Sequence, residues 1–316
     1  DQASINNNVA KSSKEAEETE PTSINRLIRE ILNLFDSKAY VGYTATPYAN
    51  IFINNEEINP AYGYDLFPKD FIVSLPKPRD YVGANEFFGS ENVKAMPLFR
   101  EVKDSNFIDV KEGYVGEIPE DLKEAIISFL ISVAVRNCRG YLKKPNSMLI
   151  HGARINDLQT QIRYKVEDYY SNLRSEIINN DKEIWNRIDS IYDDYIKTTE
   201  EMLEEKSYSN YMQGIEVIDK NLVFEEIKRL CNEEKIEIKT INGKSKEGLE
   251  YKEMAKAGKE YNVIAIGGDK LSRGLTLEGL LISYFIRESK TYDTLMQMGR
   301  WFGYRKNYED LCKIWM

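Results

Sequence analysis

The stretch that decides the fold runs from Tyr261 to Arg305 and reads YNVIAIGGDKLSRGLTLEGLLISYFIRESKTYDTLMQMGRWFGYR. Two apolar runs in it, Val263–Gly267 and Leu280–Phe285, have the length and composition of buried strands. A loop with glycines and cations joins them, and a helix-like run begins at Thr291. This order of strand, glycine-rich loop, strand and helix predicts the phosphate-facing edge of a parallel α/β sheet.

The composition predicts a folded protein without the signature of a basic nucleic-acid binder. The chain has 316 residues, of which 42% are hydrophobic, and this is enough for two domains with a substantial core. Its formal net charge is −9, so the bulk charge does not indicate binding to nucleic acid. A local basic groove in this acidic chain stays open as an alternative.

Few side chains are available for metal or nucleophilic chemistry. His151 is the only histidine, and Cys138, Cys231 and Cys312 lie far apart without a CxxC pair. This excludes an ordinary zinc finger and a Ser-His-Asp triad, and scattered cysteines suit a reducing compartment. Because no apolar run reaches the ~18–20 residues of a membrane span, we expect a cytoplasmic protein without a membrane partner.

Two threonines follow a strand-like run near the start of the chain. Apolar residues at helical spacing predict a helix from Ile24 to Phe35, and Ala39–Tyr43 predicts a short buried strand. Thr44 and Thr46 come directly after that strand. In open α/β sheets the carboxyl end of a strand faces the ligand crevice, although local capping by the hydroxyl groups is an equally simple interpretation.

The remaining chain predicts an α/β core with two interruptions. Residues 51–118 are rich in prolines and aromatics and read as an irregular β-containing insertion, with a strand at Ile51–Ile53. A deeply buried helix is predicted over residues 119–142. Strands are predicted at Ser147–His151 and Ile236–Ile241, and long polar helices over residues 155–206 suggest a helical arm.

Three segments together resemble the motifs of superfamily-2 helicases. Thr44-Ala45-Thr46-Pro47 resembles their motif III, and the run from Gly267 to Thr276, with Arg273-Gly274, resembles motif V. Gln297-Met298-Gly299-Arg300 with Arg305 resembles motif VI. The three segments occur in the order and at the approximate spacing of that superfamily.

The resemblance is closer still to the Z1 domain family. Four long phrases carry it: GYTATPYANIFI, DLFPKDFIVSLPKPRDYVGANEFFG, GGDKLSRGLTLEGLLISYF and TYDTLMQMGRWFGYR. The resemblance is strong over about residues 40–89 and 261–312 and weaker over the helices between them. The Z1 domain is attached to superfamily-2 helicase regions, has a proposed endonuclease role and is associated with restriction-modification and phage-defence systems.

This resemblance implies two RecA-like lobes. Residues 1–50 would be the carboxyl-terminal part of the first lobe, and residues 51–118 the irregular insertion. Residues 119–145 would form a buried helix and linker, and residues 146–316 the second lobe with a helical arm at about 155–215. The fold class expected is therefore α/β with the parallel sheets of a superfamily-2 helicase.

The resemblance also implies roles for individual residues. Catalytic contact with phosphate is implied for Gln297, Arg300 and Arg305. Binding of ATP is implied for Asp1, Thr44, Thr46, Gly268 and Gly274. Contact with the nucleic-acid backbone is implied for Lys270 and Arg273. Arg305 lies further from Arg300 than in the usual pattern, which leaves open which of the two is the arginine finger.

ATP and Mg²⁺ are the implied cofactors, and DNA is the implied substrate. The opening residues look like the tail of an acidic Mg²⁺ motif, with Asp1 as its last acid, and no GxxxxGKS/T phosphate loop occurs in the 316 residues. We therefore expect an amino-terminal ATPase lobe of the same polypeptide as a partner, and possible restriction-system subunits beside it. This fragment is expected neither to bind ATP tightly nor to hydrolyse it alone.

Two alternatives remain at this point. The first is a metal-dependent nuclease on a helicase-like scaffold, for which Asp70 and Glu101-Val102-Lys103 loosely fit an Asp…Glu-x-Lys arrangement. Because Glu-x-Lys recurs at Glu226 and Glu233 in a chain that is 30% charged, the pattern is expected by chance and names no metal site. The second alternative is a non-catalytic module that binds DNA or a partner subunit.

Overall fold

The computed structural model describes residues 21–44, 47–53, 55–56, 58–103, 107–242, 249–268, 276–287 and 298–316. The chain divides after Lys77 into two compact units. We call residues up to Lys77 unit 1 and residues from Pro78 onward unit 2. In the described residues no helix is long and apolar enough to span a membrane.

Unit 1 contains a helix whose polar side is the buried one. Its elements are α1 (Ser23–Asn33), α2 (Tyr48–Ile51) and an antiparallel pair, β1 (Ile58–Asn59) and β2 (Gly63–Tyr64). In α1 the amide Nδ2 of Asn25 donates to Asp65 Oδ1 over 2.7 Å, and the Arg29 guanidinium donates to the carbonyls of Tyr62 and Gly63. Asn25 and Arg29 are buried, so these hydrogen bonds set the orientation of α1.

The predicted apolar face of α1 is present but exposed. The helix itself is confirmed, yet Ile24, Leu27 and Ile31 are each about half exposed. The prediction of a buried strand at Ala39–Tyr43 is wrong, because residues 39–44 form no strand and Tyr43 is 86% exposed. The strand predicted at Ile51–Ile53 is also wrong, since Ile51 ends α2. A strand needs a neighbour for its backbone groups, and the described part of unit 1 contains only the β1–β2 pair.

Unit 2 is built around a six-stranded parallel sheet. Its strands are β4 (Phe99–Arg100), β7 (Asn146–His151), β8 (Ile236–Ile241), β9 (Asn262–Gly267), β10 (Leu280–Phe285) and β12 (Lys313–Trp315). The order across the sheet is β4-β12-β10-β7-β9-β8, and every neighbouring pair is parallel. Two short antiparallel pairs lie outside it: β3 (Tyr81–Val82) with β11 (Gly303–Tyr304), and β5 (Ile108–Asp109) with β6 (Tyr114–Val115).

Every residue of β7, β9 and β10 is buried. Alternate side chains of one strand enter different clusters, as a pleated strand requires. Met148 and Ile150 join the main core, whereas Leu149 joins a smaller cluster on the other face with Ala265 and Leu280. The sequence prediction of an α/β fold with a parallel sheet is therefore confirmed at this level.

The helices of unit 2 are α3 (Ala84–Phe88), α4 (Glu120–Arg136), α5 (Asn156–Ile178), α6 (Lys182–Glu204), α7 (Lys220–Asn232) and α8 (Tyr251–Lys256). Helix α4, which was predicted to be buried all round, packs against β10, α6 and α7 and continues into a π-helical turn, Asn137–Tyr141. Short 3₁₀ turns lie at Lys206–Tyr208 and Glu309–Leu311.

Two segments have a different place from the one that the sequence predicts. Helix α5, expected in a helical arm, packs along β8 and β9, and α6 packs against α4 and α5, so both belong to the main core. The predicted insertion contributes β4, which is the edge strand beside β12. The Pro-rich segment thus completes the sheet.

Candidate functional site

The strands β7, β9 and β10 end at one edge of the sheet, and Gly268 directly follows the end of β9. All six strands are parallel, so their carboxyl ends share that edge. In sheets of this kind ligands bind outside the carboxyl ends. Here the three central strands end at His151, Gly267 and Phe285.

His151 is packed rather than presented to solvent. It is 1% exposed, and its ring lies edge-to-face on Phe285 at a centroid distance of 5.1 Å. Its Nε2 lies 3.3 Å from NH1 of Arg287. Because arginine only donates hydrogen bonds, Nε2 is the acceptor in this contact. His151 therefore joins the ends of β7 and β10.

Gly268 allows two loops at this edge to approach closely. A Cβ atom at residue 268 would lie 2.6 Å from Nε2 of Gln159 and 2.9 Å from the carbonyl oxygen of Ala153. Gln159 is 1% exposed and donates from Nε2 to the carbonyls of Ala153 and Arg154. Its Oε1 is buried and has no hydrogen-bond partner within the described ranges. Any side chain at residue 268 would displace Gln159 or the Ala153 backbone.

Arg300 lies in a turn that is seated on the carboxyl end of β10. The adjacent Trp301 is buried, and its ring centroid lies 5.3 Å from that of Phe285. Arg300 itself is partly exposed. Burial lowers the pKa of its guanidinium, but an arginine remains charged in proteins. The ring contact of Trp301 therefore fixes the turn that carries Arg300 against Phe285, the last residue of β10.

Arg305 lies beneath that turn. It is 7% exposed, and NH2 donates to the carbonyl oxygens of Arg300 over 2.8 Å and of Trp301 and Phe302 over 3.3 Å each. These three carbonyls belong to consecutive residues, so one guanidinium fixes the path of the turn. Arg300 and Arg305 are brought together, but they have different surroundings.

The other predicted site residues are less informative. Thr44 is described in unit 1 and is partly exposed. Asp1, Thr46, Lys270, Arg273, Gly274 and Gln297 lie outside the described residues. Sequence reasoning missed Gln159, which lies in the first turn of α5, and Arg287, which follows the predicted strand end at Phe285. Among the described residues no group of three His, Cys, Asp or Glu side chains is placed to hold a metal ion.

The fold and this edge define an α/β protein with a parallel sheet, whose carboxyl end carries closely packed glycine and arginine loops. A comparison with protein families identifies it further. The Z1 domain model matches residues 121–316, so the chain belongs to the Z1 domain family, as its sequence phrases predict. No curated protein and no solved structure matches the chain.

Proposed function

We propose that this chain is the Z1 portion of an ATP-driven DNA helicase or translocase of a cytoplasmic restriction or phage-defence system. In this proposal unit 2 is the second RecA-like lobe, and its carboxyl edge contacts phosphate. The observation that carries the proposal is the turn of Arg300, which is anchored on β10 by Trp301 and from below by Arg305. A cation held in this way suits the charge that develops during phosphoryl transfer.

The residues of this edge fit the phosphates of ATP. Arg300 offers a guanidinium that can fork onto phosphate oxygens, and Gly268 removes the side chain where a backbone must come close. Helix α5 begins at the same edge, and no side chain caps its first turn, so its backbone N–H groups add to the positive potential. Lys270, Arg273, Gly274 and Gln297 are assigned to the same loops through the family resemblance.

Bound ATP with Mg²⁺ would supply the phosphoryl group and the metal that neutralises its charge. In the proposal Asp1, Thr44 and Thr46 contribute to the nucleotide side, with Mg²⁺ at Asp1 and at acids of the amino-terminal lobe. The part that this chain performs through its described residues is to orient Arg300 and to keep Gly268 close to Ala153.

The roles of the two arginines differ in this proposal. Arg300 is the arginine finger, because it is partly exposed and stands at the Gly-Arg position of the segment that resembles motif VI. Arg305 is a positioning residue, because its NH2 group already donates to three carbonyls in the protein. In this proposal the unusual distance between the two arginines has a simple origin, because the second arginine binds the backbone of the turn.

The exposed face of α1 supports the amino-terminal lobe as a partner. Ile24, Leu27 and Ile31 form an apolar stripe, although the hydrogen bonds of Asn25 and Arg29 fix the opposite side inward. We assign this stripe to packing against the rest of the first RecA-like lobe. Leu27→Glu should then lower ATP turnover of the full-length polypeptide but leave the thermal stability of this chain alone unchanged.

The test uses the full-length polypeptide that contains this chain and measures DNA-stimulated ATP hydrolysis. Arg300→Ala should lower kcat by about 10³–10⁵-fold, the effect of removing an arginine finger. Lys306→Ala is the matched control, because Lys306 is an exposed cation of the same segment, and it should turn over normally. Normal turnover in Arg300→Ala would refute the proposal.

Arg305→Lys separates positioning from direct contact. Lysine keeps the charge, but its shorter side chain ends before the position of the Arg305 NH2 group that donates to the three carbonyls. We therefore expect kcat to fall while KM for ATP changes little. Mg²⁺-dependent DNA cleavage without ATP would instead favour the metal-dependent nuclease. Salt-sensitive DNA binding without any turnover would favour a non-catalytic module.

A further inference from the structure

Beside the turn of Arg300 lie five aromatic side chains in two groups of ring contacts, joined along the chain by Phe302-Gly303-Tyr304, and we call them together the aromatic surface. They come from three separate segments: Tyr81, Phe88, Phe99, Phe302 and Tyr304. The ring of Phe88 lies 6.0 Å from that of Phe99 and 6.5 Å from that of Phe302. Tyr81 and Tyr304 lie edge-to-face at 5.6 Å. Rings at these distances and angles leave some faces without an aromatic neighbour.

The aromatic surface is more exposed than packing within the protein explains. Phe88 is 44% exposed, Phe99 39% and Tyr304 60%. Single exposed apolar side chains are common on proteins, but contiguous ones mark binding sites. The preceding residue, Phe87, shows the contrast. It is 1% exposed, and its ring centroid lies 6.1 Å from that of Phe302. Phe87 is therefore part of the core, whereas the rings of Phe88, Phe99 and Tyr304 are exposed.

The backbone holds these rings in fixed positions. Tyr304 is directly paired with Tyr81 in the β3–β11 ladder. The short helix α3 starts with the carboxylate of Glu86 accepting the backbone N–H of Gly83, and it ends at Gly89 with φ +76°. Phe99 lies in β4, at the edge of the parallel sheet. Rigid aromatic side chains lose little conformational entropy when a ligand binds.

The local charge favours an anionic partner. Residues 78–100 and 298–308 carry six basic and three acidic side chains, whereas the whole chain has a formal charge of −9. Arg79 is hydrogen-bonded to the neutral amide of Asn210. Arg100 and Lys313 share the single carboxylate of Asp194. Lys94 pairs with Glu205, and Arg305 donates to carbonyls of its own turn. The segments that carry the aromatic surface are therefore less acidic than the chain as a whole, with Arg79, Arg300 and Lys306 as their further cations.

We propose that the aromatic surface binds single-stranded nucleic acid by stacking bases on Phe88, Phe99 and Tyr304. Unpaired bases have open faces that stack on aromatic rings, and the phosphates between them meet the surrounding cations. A duplex keeps its base faces stacked inside, so only its phosphates are available to this surface. The inference extends the proposed function by naming the form of the nucleic acid, but it requires no ATP.

The test measures the binding of a fluorescein-labelled oligothymidylate of about 20 nucleotides, longer than a typical site, to this chain by fluorescence anisotropy. Phe88→Leu and Tyr304→Leu should each weaken binding about tenfold, because leucine keeps an apolar side chain but has no ring face. Tyr304→Phe keeps the ring and should bind normally. Tyr164→Leu is the control, since Tyr164 is 65% exposed on α5, outside the aromatic surface.

Several results would overturn the inference. Normal binding by the Leu variants would show that stacking is not used, and equal affinity for a duplex of the same length would show that only phosphates are read. If the wild-type chain does not bind the oligonucleotide, the inference is also wrong. If the surface instead docks a protein, the leucine variants should keep their function. Unchanged circular dichroism of each variant shows that it is folded. Since the assay contains no ATP, an inactive Arg300→Ala protein that still binds the strand separates this inference from the proposed function.

Discussion

Gly279 shows how a single residue can be required by its surroundings. It has φ +62°, and a Cβ atom there would lie 1.8 Å from the carbonyl oxygen of Pro145. Gly258 has nearly the same dihedral, φ +63°, but a Cβ atom there would meet nothing within 4 Å. The two glycines therefore separate the cost of a left-handed backbone from the cost of a collision.

We predict that Gly279→Ala destabilises the protein more than Gly258→Ala does. The left-handed conformation costs an alanine about 1–2 kcal/mol at either position. At residue 279 the displacement of the Pro145 backbone adds about 1–3 kcal/mol, as in other overpacked sites. Urea unfolding of both variants measures the difference. Equal losses of stability would mean that the Pro145 backbone moves aside at no cost in free energy.

Glu309 is a buried carboxyl group whose pKa burial raises to about 7. Its Oε2 accepts the backbone N–H of Tyr308 over 3.0 Å, and it lies in the 3₁₀ turn before β12. As the pH rises above 4.5, the pKa of glutamate in the unfolded chain, Glu309 loses its proton in the unfolded chain. In the folded protein it keeps the proton up to a pH of about 7. The contribution of Glu309 to stability therefore falls as the pH rises from about 4.5 to 7.

We predict that Glu309→Gln raises the free energy of unfolding at pH 8 by about 1–3 kcal/mol, given 1.36 kcal/mol for each pKa unit, and raises it little at pH 4.5. The neutral amide keeps an oxygen that can accept the Tyr308 N–H. The control is Glu117→Gln, because Glu117 is exposed and Lys165 lowers its pKa, so this variant should show no gain at pH 8. Urea titrations at the two pH values would disprove the prediction if Glu309→Gln were no more stable at pH 8.

At the scale of elements, a buried ion pair connects the end of α4 with α6 and with the turn before β12. NH1 and NH2 of Arg139 donate to Oδ1 and Oδ2 of Asp310 over 2.8 and 2.7 Å, and the Thr199 hydroxyl donates to Oδ2 over 2.8 Å. Asp310 is fully buried. A charge that is removed from water in this way depends on its partner.

We predict that Asp310→Asn destabilises the protein by about 3–5 kcal/mol, because it leaves the Arg139 cation buried without a counter-charge. Asp193→Asn is the matched control. Asp193 pairs with Lys220, and both side chains are well exposed, so its loss should cost about 0–1 kcal/mol. Chemical denaturation with circular dichroism compares them, and a small effect at residue 310 would mean that water reaches Arg139.

The sequence predicted elements best where the core decides them. Strands β7, β9 and β10 were predicted nearly to the residue, since continuous apolar runs are buried on both faces of a parallel sheet. The edge strand β8 was predicted from its alternating pattern instead. The prediction failed at residues 39–43, where an apolar run has no strand beside it in the described part of unit 1. It also missed β4, β12 and α8, which are too short for periodicity to reveal.

The site was predicted only in part, for a related reason. Gly268 directly follows β9, so the pattern of strand ends predicted that it lies at the carboxyl edge of the sheet. The contact of Arg305 with three carbonyls depends on the path of the turn, and no spacing in the sequence encodes that path. Gln159 was missed because its position opposite Gly268 arises from two loops far apart in the chain.

At the scale of the whole molecule, unit 2 has a core of its own. It contains the six-stranded sheet and the helices α4 to α7 that cover one face. We predict that residues 78–316 expressed alone fold with one cooperative transition. All three tryptophans, Trp185, Trp301 and Trp315, belong to unit 2, so the fluorescence of the shorter chain should match that of the full chain. Emission typical of solvent-exposed tryptophan would contradict this prediction.

The strand order of the sheet has a consequence for synthesis on the ribosome. β4 is an edge strand, and its neighbour in the sheet is β12, which forms from residues far later in the chain. Pairing between such distant segments is slow, and an unpaired edge is prone to aggregation meanwhile. In the nascent chain β4 therefore has no β12 partner until residues 313–315 have left the exit tunnel. Hydrogen exchange on stalled nascent chains should show β4 protected only after that point, and earlier protection would show that another segment shields this edge during translation.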